Sequence, residues 1–167
     1  MPEAWDTSVA SQVGGRHRDL LRTHLRARSP VLLPAPTVQE IARGIATRME
    51  HDPDFAVRMG WFSALLTHSL VRVIPLAATG GLLAGRLLAR VPHPPTNDHR
   101  RKGTRSQQRA AWALDVQIAA CAFAGGYGVL TENVDDFTVL RDAIAELLPD
   151  VPPLVVRDAR EPAESPA

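Results

Sequence analysis

Two stretches late in the chain carry residues whose type and spacing could do chemistry. In Leu114-Asp115-Val116-Gln117-Ile118-Ala119-Ala120 a carboxylate sits inside an otherwise apolar helical pattern, which Gly125-Gly126 then stops. Val129-Leu130-Thr131 reads as a short strand, and Glu132-Asn133-Val134-Asp135-Asp136-Phe137 places further carboxylates just past its end. In open α/β sheets, that carboxyl edge is where ligands bind. Acids shared between a helix and a strand end suit a divalent metal, because hard cations collect oxygen ligands from separate elements.

The arrangement resembles the C-terminal half of a PIN-domain nuclease, the family that includes VapC-like toxins of bacterial toxin-antitoxin pairs. There Asp-x-x-Ile-Ala-Ala and Thr-x-Asn-x-x-Asp-Phe recur. Trp5-Asp6-Thr7-Ser8-Val9 is similar to that family's first-strand Asp-Thr-Ser/Asn signature, with Trp5 where an aliphatic residue is usual. Glu40, in Pro34-Ala35-Pro36-Thr37-Val38-Gln39-Glu40-Ile41-Ala42-Arg43-Gly44, resembles its second acid, at the start of the next helix. The four motifs in order span about Pro2 to Val156.

The resemblance implies that Asp6, Glu40, Asp115 and Asp136 converge to bind Mg2+ or Mn2+. Clustered carboxylates cannot all ionise comfortably without a cation. Such ions retain waters, and a metal-acidified water can attack phosphorus; two ions about 4 Å apart can serve both the attacking and the leaving oxygen. The implied activity is a metal-dependent endoribonuclease that hydrolyses RNA phosphodiester bonds. Thr7, Ser8, Thr131, Asn133 and Asp135 are supporting candidates that could orient acids or bound water. The resemblance also implies a homodimer and a small antitoxin protein that inserts a peptide near the acidic pocket. Glu132 stands where many relatives carry Arg. Two alternatives remain open: a scaffold that binds RNA or protein without cutting, and a non-toxin nuclease that processes nucleic acid.

Each acid also has a structural use. Thr37-x-x-Glu40 matches a capping box, a stabilisation of about 1 kcal/mol. Asp6 could cap the helix after the first strand, and Asp135, more readily than Asp136, the helix near Phe137. Asp115 is harder to explain this way, because Leu114, Ile118, Ala119 and Ala122 surround it and a lone buried carboxylate is costly. Ser, Thr and Asn serve turns in any protein.

At 167 residues the chain fits one domain with a real core, and 45% hydrophobic content is ordinary for a folded protein. Its single cysteine, Cys121, excludes an internal disulfide and points to a reducing, cytoplasmic setting. No signal peptide pattern opens the sequence, and Arg72, Pro75, Gly80, Gly81, Arg86 and Arg90 interrupt the most apolar stretch, which argues against a membrane span. Net charge is +1, yet residues 1–109 hold 16 Lys+Arg against 8 Asp+Glu, while residues 110–167 hold 3 against 10. A basic front beside an acidic site suits a nuclease, since carboxylates repel phosphate; solvated helix faces are the plainer explanation. Arg100, Arg101, Lys102 and Arg105 form a candidate RNA-binding run, or else a solvated loop. Trp61, Trp112 and Phe123 are expected in the core. Zinc spacing, a complete P-loop and a serine-hydrolase elbow are all missing.

The periodicity predicts a strand at 3–6, a helix at 9–26, a strand at 31–34, and helices at 37–47 and 53–67. A buried strand at 70–76, a helix at 77–90, a linker to 104 and the Asp115 helix at 106–124 follow. A strand at 127–131, a helix at 136–148 and a last strand at 154–156 complete the order. Strands separated by helices imply a three-layer α/β/α domain, PIN-like, with a central, mostly parallel sheet of about five strands. The domain is expected over residues 1–157, with 158–167 a disordered Pro/Glu/Ser-rich acidic tail.

Overall fold

The computed structural model describes residues 1–94 and 104–161. Its elements are β1 (Glu3–Trp5), α1 (Thr7–Ala10), α2 (Arg18–Arg26), β2 (Val31–Pro34), α3 (Ala35–Met49) and α4 (Phe55–Leu66). They continue as β3 (Val71–Ile74), α5 (Ala78–Arg90), α6 (Arg105–Ala124), β4 (Gly128–Thr131), α7 (Val134–Leu147) and β5 (Val156–Asp158). Every strand pairing is parallel, and the sheet order is β3-β2-β1-β4-β5.

Alternation along each strand divides the core in two. Ala4, Leu32 and Val129 face one way and pack with Leu87 of α5, Trp112 and Ile118 of α6, and Phe137 and Leu140 of α7. Trp5, Val31, Leu33 and Leu130 face the other way and pack with Val9 of α1, Leu21 of α2, Ile41 of α3 and Phe62 of α4. The result is the expected α/β/α sandwich. Its chain runs outward from β1 to β2 and β3, then crosses back to β4 and β5 on the other side of β1. The order therefore reverses between β1 and β4, the point where open sheets leave a crevice beyond their strand ends.

Asp6 follows β1 directly, and its backbone N–H donates to Leu130 O on β4 at 3.0 Å. On the far side, α6 is stopped by a glycine pair. Gly126 adopts φ +73°, Tyr127 N–H returns to Ala122 O at 2.9 Å and Gly126 N–H to Phe123 O at 3.0 Å. That closure ties up two free helix carbonyls and turns the chain into β4.

Several expectations need correction. The helix foreseen at 9–26 is two helices, because the chain turns through Gly14 and Gly15 between α1 and α2. β3 is an edge strand with Arg72 and Val73 exposed, not a buried one. α3 begins two residues early, at Ala35, with Pro36 in the first turn where its missing N–H costs nothing. The last strand lies at Val156–Asp158, so Asp158, expected in the tail, pairs with Thr131 across the sheet. Trp112 is buried as expected, whereas Trp61 is 47% exposed. Cys121 is buried, with its Sγ 3.4 Å from the Ile74 and Pro75 carbonyls, and burial pushes its thiol pKa up, consistent with a packing role. Among the described residues, no helix is long and apolar enough to cross a membrane.

One pair fastens the edge strand β5 to β1. Arg157 on β5 donates through Nε and Nη2 to both carboxylate oxygens of Glu3 on β1, each at 2.5 Å, reaching across the intervening β4. Gly128 lies under that crossing: a Cβ there would meet Val155 O at 3.1 Å, Val155 Cβ at 3.3 Å and Glu3 Cγ at 3.6 Å. Gly128→Val is therefore expected to cost about 1–3 kcal/mol by overpacking. The check is a denaturant titration, in which the midpoint should fall while the slope stays unchanged.

Candidate active site

Where β1 ends, the backbone of Asp6 is extended and its carboxylate caps α1, accepting from Thr7 N–H at 2.5 Å. Its other oxygen accepts from Ser8 Oγ at 2.7 Å and from Thr131 Oγ1, at the end of β4, at 2.8 Å. Only 2% of Asp6 is exposed. Burial pushes its carboxyl pKa above the ordinary value near 3.8, while the hydrogen bonds from Ser8, Thr131 and Thr7 pull the other way. One oxygen thus caps α1 while the other ties the end of β1 to the end of β4.

The β4 end continues the network. Asn133 N–H donates to Thr131 Oγ1 at 2.8 Å, and Asn133 Nδ2 donates to Asp136 Oδ2 at 2.7 Å. Asp136, 1% exposed, belongs to the first turn of α7, where the free N–H groups and dipole favour a negative charge. The expectation that Asp135 caps this helix is not met. The helix starts earlier, at Val134 with Asn133 as its cap position, so Asp135 falls inside the first turn and is exposed.

Glu40 is half-buried on α3 and accepts from Thr7 Oγ1 at 2.7 Å. The capping box read from Thr37-x-x-Glu40 does not form. With Pro34 at the cap position, Thr37 lies inside the helix and its hydroxyl donates instead to Trp5 O at 3.3 Å. Asp115 is half-buried rather than enclosed, on α6, the helix that packs against both α3 and α7. Hydrogen bonds through Thr7, Thr131 and Asn133 thus bring Asp6, Glu40 and Asp136 into one network, and Asp115 is carried on the neighbouring helix.

Spacing alone did not reveal the role of Glu132. Its carboxylate accepts from Arg16 Nη1 at 2.9 and 3.0 Å and lies 2.8 Å from Nε2 of the buried His17, while its backbone N–H donates to Ser8 Oγ at 3.0 Å. It pins the turn between α1 and α2 to the end of β4. A lone Glu in place of the Arg usual in the resembled family was the available signal. Of the basic run, Arg100, Arg101 and Lys102 lie outside the described residues, and Arg105 is the exposed first residue of α6.

The donors are all hard oxygens, the chemistry that Mg2+ and Mn2+ prefer. Among the described residues no three of His, Cys, Asp or Glu form a ready-made metal cage. Mg2+ does not need one: it commonly takes one or two carboxylates and keeps several waters. Buried, hydrogen-bonded Asp6 and Asp136 at the β1/β4 crevice fit that mode.

No family model matches the sequence, and no curated protein matches it. Solved structures do. A chain of VapBC2 from Rickettsia felis bound to a DNA fragment from their promoter is 15% identical, with a TM-score of 0.62 over 95% of this chain and 98% of that one. A chain of DNA-bound VapBC from Salmonella typhimurium is 16% identical, with a TM-score of 0.57 over 95% and 99%. A chain of FitAcB from Neisseria gonorrhoeae is 19% identical, with a TM-score of 0.55 over 92% and 94%. The fold is PIN-like. Near-complete coverage of both chains means that the whole α/β/α sandwich, and not a shared βα fragment, carries the likeness.

The raised pKa of Asp6 has a definite sign in stability. Below about pH 3.8 the carboxyl is protonated folded and unfolded alike; above it the unfolded chain ionises first, so stability falls as pH rises through the folded pKa. In metal-free buffer, the Tm of the wild type minus that of Asp6→Asn should therefore fall as pH rises from 3.5 to 7, on top of a constant offset from the hydrogen-bond acceptor that the amide removes. Calorimetry across that range checks it, and a difference that rises with pH would refute it.

Proposed function

We propose that this chain is a metal-dependent endoribonuclease that hydrolyses RNA phosphodiester bonds, acting as the toxin of a toxin-antitoxin pair. The observation that carries the reading is the hydrogen-bonded run from Asp6 through Thr131 and Asn133 to Asp136, at the switch point of a PIN-like sheet. Asp6, just past β1, and Asp136, in the first turn of α7, are both nearly buried carboxylates joined through the end of β4. A divalent cation held by such oxygens would favour their ionised form.

Asp6 and Asp136, with Glu40 and Asp115, are the residues that would hold Mg2+ or Mn2+. When bound, the ion supplies positive charge for the developing oxyanion and a water acidified for attack. The chain's own contribution is orientation. Thr131 and Ser8 fix one Asp6 oxygen and the Thr7 N–H the other, the Thr7 hydroxyl fixes Glu40, and Asn133 fixes Asp136, so that each carboxylate presents its remaining lone pairs without searching for a geometry. No side-chain nucleophile is required. The proposed partners are an RNA substrate, a small antitoxin protein and a second copy of the chain; the structural neighbours, from complexes named VapBC and FitAcB, support the antitoxin.

A non-cutting scaffold is the second reading. It is favoured by the degree to which Asp6 is already occupied, with three donors on its two oxygens. Metal binding separates the two readings without reference to turnover. Mn2+ at a hundred times its Kd should stabilise the wild type by about 2.7 kcal/mol and raise its Tm, while Asp6→Asn and Asp136→Asn show little response. The absence of any metal-dependent shift in the wild type would favour the scaffold.

Asp115→Asn should lower Mg2+-dependent cleavage of single-stranded RNA by at least about a hundredfold while the circular dichroism spectrum is unchanged, because the loss of a ligand exceeds that of its supporting shell. Full activity in that variant would remove Asp115 from the site. Growth arrest on expression, relieved by the product of a neighbouring small gene, would separate a toxin from a processing nuclease.

A further inference from the structure

Beside the acidic network, α3 and α6 pack against each other and leave a cleft of about 410 Å³, lined by Arg43, Gly44, Thr47 and Arg48 of α3 and by Gln107 and Ala110 of α6. Its character is opposite to that of the site. Arg43 and Arg48 are exposed, and so are Arg105 and Arg109, within two residues of the α6 side of the lining. Among the described residues, no carboxylate forms an ion pair with any of these four arginines, although Glu3, Asp19, Glu132, Asp142, Glu146 and Asp158 all pair with cations elsewhere. The Arg48 guanidinium rests over the Phe55 ring, its carbon 5.5 Å from the centroid, which steadies the side chain without neutralising it.

The cleft shares helix α3 with the acidic network. Glu40 and Gly44 are four residues apart on α3 and so lie on one face, a single turn of about 5–6 Å separating them. A helix stripe thus passes from a carboxylate of the acidic network to two guanidinium groups that pair with no carboxylate among the described residues. At its other wall begins α6, whose N-terminal end adds positive dipole. The Gly44 position is open: a Cβ there would meet nothing within 4 Å.

We infer that this cleft is the track for the RNA backbone on one side of the scissile bond, with Arg43 and Arg48 each taking a phosphate. The inference rests on the nuclease reading and specifies how an acidic centre holds a polyanion: the carboxylates and their ion take the reacting phosphate, and the α3/α6 arginines take its neighbours. An extended single strand suits an open groove lined by Arg, Gln and Thr. Among the described residues the lining holds no stacking aromatic, so the recognition is of backbone rather than of base.

The test is binding of a fluorescent 12-nucleotide single-stranded RNA to the full chain, by anisotropy over a salt series without divalent metal. Each lost phosphate contact on a single strand removes about 0.7 from the log-log salt slope. Arg43→Ala/Arg48→Ala should therefore flatten the slope by about 1.4 and weaken binding about tenfold at low salt, while Arg43→Lys/Arg48→Lys restores most of the slope. Gly44→Leu, which adds bulk to the open floor of the cleft and keeps both charges, should weaken binding with the slope retained. Cleavage of a dinucleotide in Mg2+, too short to reach the cleft, should be unaffected by the double alanine change. Unchanged affinity and slope in that variant would overturn the track, as would loss of binding to polyglutamate in place of RNA, the mark of an acidic peptide groove. A wild-type chain that binds RNA with the expected slope and never cuts it would leave the track standing and remove the nuclease.

Discussion

The burial of the Asp6 carboxylate is the constraint to which the rest of the molecule answers. A charged oxygen pair at 2% exposure loses most of its hydration, and protein donors must replace it. Three of them do: the Thr7 backbone, the Ser8 hydroxyl and the Thr131 hydroxyl. Each donor is available only because a particular element ends where it does. Thr7 and Ser8 are free to turn back because β1 stops at Trp5, and Thr131 reaches Asp6 because β4 lies beside β1 in parallel register, Trp5 opposite Leu130.

The same requirement explains the charged pairs around it. Glu132 holds Arg16 and His17 with its side chain and Ser8 with its backbone, so the turn that follows α1 cannot drift from the end of β4. Glu3 and Arg157 join β1 to β5 across β4, at the opposite end of the same strands. Ion pairs at exposed positions contribute little stability. These two are partly shielded and each crosses more than 110 residues of sequence, which makes register their main product.

The order of elements was legible because hydrophobic period and glycine punctuation are local properties. α6, with its apolar stripe and its Gly125-Gly126 stop, could be read to within a residue of its start, and β2 was placed at its true bounds. Errors fell where local and tertiary preferences compete. Thr37-x-x-Glu40 satisfies the capping rule, yet α3 begins two residues earlier, since Thr37 finds the Trp5 carbonyl and Glu40 finds the Thr7 hydroxyl. β3 has the β-branched composition of a central strand but lies at the sheet edge, and composition does not encode strand order. Asp115 looked enclosed from its apolar neighbours in sequence and is half-buried in space.

What the sequence determined by itself is the supply: four acids, the hydroxyl and amide residues next to them, and a basic front, arranged in an alternating pattern that admits one class of sandwich. Those features rest on side-chain chemistry and on contacts within a few residues. Only the tertiary structure decided the connections, namely which hydroxyl serves which carboxylate, that Glu132 clamps a turn, and that α3 and α6 leave an arginine-lined cleft between them. Such contacts span 30 to more than 120 positions along the chain, and their geometry is set by the sheet order and the packing of helices on it.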